Sequence, residues 1–539
     1  MDASRSRRER LLLLALLLVF LVAFKAAFNP SLGRNSLDGD YYYQIARHVA
    51  EGDGLLTSVS LYHQGFKQLP HPTPIYPLWP LVMGVVGSAV GLPLAASVLP
   101  ELLYLLDLVL LYFLANRLAA RLGWDGFLVA GGGTLDLGHL AVALFGTNPV
   151  FFQFTSLPYT EALAFALLFT SLLVLDRAVE GGTLGAFAVA GCAGGLALAT
   201  RSQAVMLLVA APMLLAAAGL HRRRFLLAAA VFALFAAAVL LPWVAWVSSF
   251  VDSPTPRTFL TVGSYRETPE LEPFGWSVPT SSRLEYAANR LRGVAAAFDP
   301  SSGSSYATSF GPVAWLVPAA LLALLLRPGD LRRGLPAALR PPALAVTVTL
   351  ASGLLMIAPL HLLHSRFLWE WRFGHRHGLP FLLLLVPALA YLLRRGGPLR
   401  LLALALAGLS LVTGALGVAR LLTFRYPPGP QGAERELVEW LGEHPRRPIV
   451  VTTNAQPLAV YSRAGFHWME CREDSRQTRV LLEVVGADYV VVYPGEERCP
   501  FVQGVPDLAL ARTFEDGRGR IFVLAPASTV GPAAAPHPQ

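Results

Sequence analysis

Residues 4–10 read Ser-Arg-Ser-Arg-Arg-Glu-Arg, and residues 11–28 continue Leu-Leu-Leu-Leu-Ala-Leu-Leu-Leu-Val-Phe-Leu-Val-Ala-Phe-Lys-Ala-Ala-Phe. A basic cluster ahead of an apolar run has the form of a signal peptide, but no small-residue cleavage site follows. The stretch is read instead as an uncleaved first membrane helix with its N-terminus in the cytoplasm. Further apolar runs repeat along the chain, each near the roughly 20 residues that cross a bilayer as a helix. Of the 539 residues, 54% are hydrophobic and 14% charged, and the mean hydropathy is +0.51. A soluble domain carries about 25% charged residues. Only helices and closed barrels satisfy their backbone in lipid, and Leu/Ala-rich runs of this length are helical. The fold class is an α-helical polytopic membrane protein.

The net charge of +8 does not point to nucleic acid. The arginines fall in short clusters between the apolar runs, as the positive-inside bias requires. With the clusters at Arg117/Arg121, Arg177, 221–224, 327–340 and 394–400 all cytoplasmic, the spans between them come in pairs. The pairs are 126–146 with 158–176, 184–200 with 202–220, 225–248 with 311–327, and 342–362 with 379–395. A last span, 401–421, carries the chain outside. Parity fails only where 75–91 and 95–118 both precede Arg117. Pro77, Pro80, Gly84 and Gly87 interrupt the first of these, so it is read as a short helix at the outer surface. About eleven spans result, with outer loops 29–75 and 249–310.

The division expected is a transmembrane part over 1–423, an extracytoplasmic α/β domain over 424–526 and a disordered Ala/Pro tail over 527–539. Residues 433–443 have helical periodicity, 449–452 and 489–493 read as strands, and 480–485 as a helix between them. Residues 508–514 and 521–524 read as a hairpin. This region shows no phosphate loop, nucleophile elbow or metal spacing, so a capping or docking role is favoured over a second active site. Three cysteines are too few for a disulfide framework. Cys471 and Cys499 share the polar C-terminal region and are able to pair if it faces an oxidising compartment.

The first outer loop holds Asn35-Ser36-Leu37-Asp38-Gly39-Asp40-Tyr41-Tyr42-Tyr43-Gln44-Ile45-Ala46, ending at Gly52-Asp53-Gly54. From these residues alone, Asp38 reads as the cap of a helix opening near Tyr41. Tyr42, Ile45, Ala46 and Val49 form its buried stripe, and Gly52 or Gly54 ends it. A catalytic carboxylate is the other reading of Asp38.

An acid at the mouth of the first span, paired aromatics, Ile-Ala and a Gly-x-Gly stop resemble the first loop of polyprenyl-phosphate-sugar-dependent glycosyltransferases of the GT-C fold. That superfamily includes the protein O-mannosyltransferases and the aminoarabinose transferases. Pro74-Ile75-Tyr76-Pro77-Leu78-Trp79-Pro80 is similar to its surface helix. Ser156-Leu157-Pro158-Tyr159-Thr160-Glu161 stands where the family has a second acid. Gly195-Leu196-Ala197-Leu198-Ala199-Thr200-Arg201 resembles its Thr-Arg turn, and Arg376-His377-Gly378-Leu379-Pro380 its entry to a late span. The chain departs from the pattern at Gly39, where the family has an acid. It departs again at His71-Pro72, where a lysine or acid precedes the proline segment and only Lys67 lies nearby.

The resemblance implies transfer of a sugar from a polyprenyl-phosphate carrier to an acceptor hydroxyl on a lipid, glycan or protein, at the outer face of the plasma membrane. Asp38 would be the general base of an inverting reaction, with Asp40 and Glu161 as further catalytic acids. Arg201, Arg376, Lys67 and His71 would hold the donor phosphate. No residue is assigned to a metal, although a divalent metal stays open as a cofactor.

Two other classes are weighed. A transporter or flippase of lipid-linked intermediates would depend on Asp107, Asp136 and His139, which lie in apolar runs. An inactive envelope-assembly scaffold would explain Gly39 and the missing lysine. Asp136 and His139 share a helical face, and a structural pair is the favoured account. The histidines between 361 and 377 have weak metal spacing, and an aromatic, basic rim for lipid headgroups is simpler.

Overall fold

The structure is a computed structural model. It describes residues 3–26, 37–60, 69–122, 134–200, 221–250, 311–326, 382–423 and 429–529, apart from 74, 470, 472–474, 504 and 506, with short pieces at 127–128, within 201–215, and at 278–279 and 367–368. Two compact units emerge, each discontinuous in sequence. The first comprises 1–29, 97–243 and 276–424, and the second 30–96, 244–275 and 425–539. The first outer loop is thus grouped with the C-terminal region, where the sequence suggested a boundary near 424.

Helix α1 covers Ala3–Ala26, α2 Leu37–Glu51, α3 Leu78–Val90 and α4 Leu92–Leu122. Next come α5 (Leu137–Gly146), α6 (Pro149–Ser156), α7 (Glu161–Gly181), α8 (Leu184–Leu198) and α9 (Arg222–Ser248). Later helices of the first unit are α10 (Leu316–Leu325), α11 (Leu382–Arg395) and α12 (Gly397–Thr423). Among the described residues, four helices are long and apolar enough to cross a membrane: α4, α7, α9 and α12. The eleven expected spans are not all present as such, and those at 202–220 and 342–362 lie largely or wholly outside the described residues.

Of the four long apolar helices α7 is the most buried, with 72% of its apolar window covered, whereas for α9 the figure is 17%. Leu234 and Leu241 on α9 and Leu416 on α12 are correspondingly exposed, a surface that suits lipid contact. Gly191 and Gly195 let α8 approach α9 closely. A Cβ at Gly191 would collide with the Phe232 carbonyl, and one at Gly195 would lie 2.6 Å from that of Ala236. Small residues four apart serve this purpose between membrane helices. The turn from α7 to α8 is closed by Gly182, with φ +67° and its N–H bonded to the Ala178 carbonyl.

The span expected at 126–146 is corrected. A two-residue ladder pairs 127–128 with 134–135, and only α5 follows. Asp136 caps α5: its carboxylate accepts from the His139 N–H, and the His139 ring accepts from the Asp136 N–H. The i, i+3 pair is a capping box, the structural account favoured from the sequence. Asn148-Pro149 then breaks the chain and starts α6, with Asn148 accepting from the N–H groups of Val150 and Phe151. The proline-interrupted segment is the short helix α3, as expected from parity, and at 13 residues it reaches only about 20 Å.

In the second unit, strands β1 (Leu56–Thr57), β2 (Val59–Ser60) and β3 (His71–Pro72) come from the first loop. The C-terminal region supplies α13 (Ala433–Gly442), β4 (Ile449–Thr452), α14 (Ala455–Tyr461), β5 (Gly465–Trp468), α15 (Ser475–Val480), β6 (Tyr489–Val492), β7 (Leu508–Asp516) and β8 (Gly519–Pro526). Six strands form one sheet in the order β7-β8-β6-β4-β5-β2. β6, β4, β5 and β2 run parallel, with Val59 opposite Phe466 and Val450 opposite both Phe466 and Tyr489. Side chains alternate between faces. Val450 and Val491 join Tyr41, Ile45, Leu437 and Phe514 in one core, while Val451, Val490 and Val492 join Leu481, Val485 and Phe501 in another. The sheet is therefore covered on both faces, which explains its continuous valine runs. Cys471 and Cys499 form a disulfide.

Candidate active site

Helix α2 starts at Leu37, so the expected cap at Asp38 is corrected. Asp38 and Asp40 both occupy the first turn, where the partial positive charge of the helix end favours carboxylates. Asp38 is half-buried, and Asp40 is fully buried. Tyr41, Tyr42, Tyr43, Gln44, Ile45 and Ala46 are all buried as well, so far more than one stripe is covered. The end falls as expected at Gly52 and Gly54, both with φ +89°.

The helix is fastened along its length within the second unit. Tyr41 Oη lies 3.2 Å from Thr73 Oγ1. Gln44 donates to Thr57 Oγ1 at 2.7 Å and accepts from the Ser58 N–H at 2.7 Å. Arg47 donates to the Ser462 carbonyl at 3.0 Å. At Gly84 of α3 a Cβ would stand 2.6 Å from both the Ala46 carbonyl oxygen and Val49 Cβ, so α3 lies directly on the α2 backbone.

At its far end, His48 Nδ1 is 2.9 Å from Asp53 Oδ2 and Nε2 is 2.7 Å from Ser58 Oγ. Burial lowers the imidazole pKa, with the Asp53 hydrogen bond opposing it. That same bond to His48 lowers the Asp53 pKa. His48, Glu51 and Asp53 bring one ligand atom each within 4.8 Å of one another. Among the described residues no such group of three includes Asp38, Asp40 or Glu161.

In the first unit, Glu161 opens α7 and Arg201 follows α8. Arg201 Nη1 lies 2.7 Å from Glu161 Oε1 and donates to Thr160 Oγ1 at 2.9 Å. Thr160 Oγ1 in turn donates to Glu161 Oε2 at 3.3 Å. The turn holding Arg201 is set by its N–H on the Ala197 carbonyl and by Thr200 Oγ1 on that of Leu196. The second acid and the Thr-Arg turn, separate in the sequence reading, are thus one ion pair. Glu161 is 1% exposed and Arg201 13%, so the guanidinium keeps an open side.

His71 is buried in the β1–β3 ladder, with Nδ1 donating to the Pro72 carbonyl at 2.6 Å. Lys67, Arg376 and the histidines of 361–377 lie outside the described residues. Sequence reasoning missed Lys25. This fully buried ammonium donates to the carbonyl and hydroxyl of Thr155 at 3.0 and 3.1 Å and sits 3.5 Å over the Tyr104 ring. Its position inside an apolar run was the available signal. His48, Glu51 and Asp53 were missed because Asp53 joins the group only through the Gly52 turn.

No family model and no curated protein matches the sequence. Solved structures do match in fold. The oligosaccharyltransferase of Archaeoglobus fulgidus in complex with Zn and sulfate is 14% identical, with TM-score 0.56, covering 95% of this chain and 73% of that one. The same enzyme, AglB, with an inhibitory peptide and a dolichol-phosphate is 13% identical, with TM-score 0.55 and coverage of 95% and 74%. The mycobacterial arabinofuranosyltransferase AftD is 16% identical, with TM-score 0.53, covering 95% of this chain and 41% of that one. This chain has the GT-C fold. The GT-C likeness spans nearly the whole sequence.

Proposed function

We propose that the protein is a membrane glycosyltransferase that moves a sugar from a polyprenyl-phosphate carrier to an acceptor hydroxyl, with inversion. The observation that carries this reading is the first turn of α2, where half-buried Asp38 stands on a helix fastened by Gln44, Arg47 and His48. A carboxylate held this firmly has the preorganisation that base catalysis needs. Asp38 takes the proton of the acceptor hydroxyl as its oxygen bonds to the anomeric carbon. The bond from that carbon to the phosphate oxygen breaks, and polyprenyl phosphate leaves with the electron pair. Such a base contributes roughly 10²–10⁴-fold.

Arg201 has guanidinium nitrogens to spare beyond Nη1, and bidentate donation to phosphate is what that group does best. Arg376 and Lys67 are proposed for the same work by resemblance. Glu161 is better assigned to holding Arg201 than to proton transfer, because the two are already paired. His71, buried in its ladder, shapes the loop. Among the described residues no group of three potential metal ligands includes Asp38 or Asp40.

The C-terminal region shares a unit with Asp38 and carries a disulfide, a bond typical of oxidising compartments. This supports a reaction on the extracytoplasmic face, with the N-terminus cytoplasmic. Asp136 and His139, two of the three residues on which a transporter reading rests, have a structural role as the cap of α5. The test is reconstitution with a panel of polyprenyl-phosphate sugars, following release of polyprenyl phosphate. Release from at least one donor supports the reading, and none from any donor, with correctly inserted protein, opposes it.

A further inference from the structure

We propose that His48, Glu51 and Asp53 form a site for a divalent cation of the zinc class at the C-terminal end of α2. The inference stands on this cluster alone and does not depend on the transferase reading. Three ligand atoms of two types, one imidazole nitrogen and two carboxylate oxygens, lie within 4.8 Å of one another. Zinc bonds of about 2.0–2.2 Å bring tetrahedral ligands roughly 3.3 Å apart, so rotation of exposed side chains closes the gap. An imidazole with carboxylates suits zinc or a neighbouring transition metal, whereas calcium and magnesium take oxygen alone.

The histidine is already oriented as a metal ligand would be. Its side chain is 2% exposed, and Nε2 is held 2.7 Å from Ser58 Oγ, outside the cluster. Once Nδ1 gives up its proton to an ion, Nε2–H is the ring's donor toward Ser58, the far-side hydrogen bond that commonly fixes metal-binding histidines. That leaves Nδ1 facing Asp53 at 2.9 Å.

The helix end also favours a cation. Glu51 and Asp53 stand at the negative end of the α2 dipole, the wrong end for carboxylates. Arg463 lies 2.9 Å from Glu51 and is 67% exposed, and with Arg447 it also acts on Asp53 at longer range. An exposed pair of this kind is weak and easily displaced. Arg47 donates to the Ser462 carbonyl rather than to either carboxylate, although its charge is felt by Glu51. Solvent reaches the cluster through the Glu51 and Asp53 side chains, which are 27% and 38% exposed.

The ion would fasten the end of α2. It would not touch the Asp38 chemistry, because ten residues of helix separate Asp38 from His48 by about 15 Å.

The experiment titrates zinc into the full chain in detergent after stripping with chelator, by calorimetry and by metal analysis of the washed protein. Cobalt serves as a second probe through its visible absorption bands. Wild type is expected to take up one zinc per chain. Glu51→Gln with Asp53→Asn, isosteric changes at exposed positions, should weaken uptake at least tenfold, while Asp38→Asn with Asp40→Asn should leave it unchanged. His48→Gln should remove the tetrahedral cobalt spectrum. No uptake by wild type overturns the proposal. So does uptake equal in the Glu51/Asp53 variant, or uptake lost only in the Asp38/Asp40 variant, which would place the metal at the first turn. Binding of calcium alone, indifferent to His48→Gln, overturns it as well.

Discussion

Arg201 holds its Nη1 2.7 Å from Glu161 Oε1, joining the turn after α8 to the first residue of α7 in a pair that is almost wholly buried. Breaking a buried pair leaves one charge without compensation, at a cost of about 3–5 kcal/mol. Arg201→Met is therefore expected to lower thermal stability sharply. Adding Glu161→Gln to it should restore most of the loss. A measured double-mutant cycle with no coupling would contradict the pair as drawn.

Helix α2 depends on contact with α3 at Gly84, where a Cβ would press on the Ala46 carbonyl and Val49. Neither neighbour is the free end of a flexible chain. Gly84→Ala is expected to cost about 1–3 kcal/mol, as overpacking does, and to slow transfer by displacing the helix that carries Asp38. Thermal unfolding and donor turnover, measured together, check both.

The Cys471–Cys499 bond closes a loop with a sequence separation of 28. Loop-closure entropy puts its contribution at about 3–4 kcal/mol. Cys471→Ser with Cys499→Ser, or reduction of wild type, should lower the stability of the second unit by that order. Limited proteolysis of 425–529 should accelerate accordingly.

Asp516 accepts hydrogen bonds from the Arg518 N–H at 2.7 Å and, at the start of α13, from the Ala433 N–H at 3.0 Å. These bonds lower its pKa below the ordinary carboxylate value, Arg518 contributing most. A depressed carboxylate stabilises the fold above its unfolded pKa, near 4, and loses that effect as pH falls through the lower, folded value. Wild type should thus exceed Asp516→Asn in melting temperature at pH 6, and the gap should close below pH 4. A gap independent of pH would show that the carboxylate charge is not what caps α13.

Much of this was legible in the sequence, for physical reasons. Valine runs at 449–452 and 489–492 announce strands covered on both faces, and Gly52 and Gly54 mark the end of α2 through their left-handed backbone. Pro77 and Pro80 identified a segment too short to span. What escaped depends on partners distant in sequence. Val59–Ser60 is a strand only because it pairs with 466–467, and two residues carry no periodicity of their own. Asp136 and His139 have the spacing of a helical face, but the apolar run around them does not reveal that the helix starts between them. The Arg201–Glu161 pair joins residues 40 apart, each of which reads alone as an interfacial charge.

The proposed mechanism turns on Asp38 as the base. It is tested most directly by Asp38→Asn in the donor that wild type uses best, with correct insertion and an unchanged melting temperature as controls. Release of polyprenyl phosphate is expected to fall by roughly 10²–10⁴-fold, the worth of general-base catalysis, while donor binding persists. Release within a fewfold of wild type would contradict it.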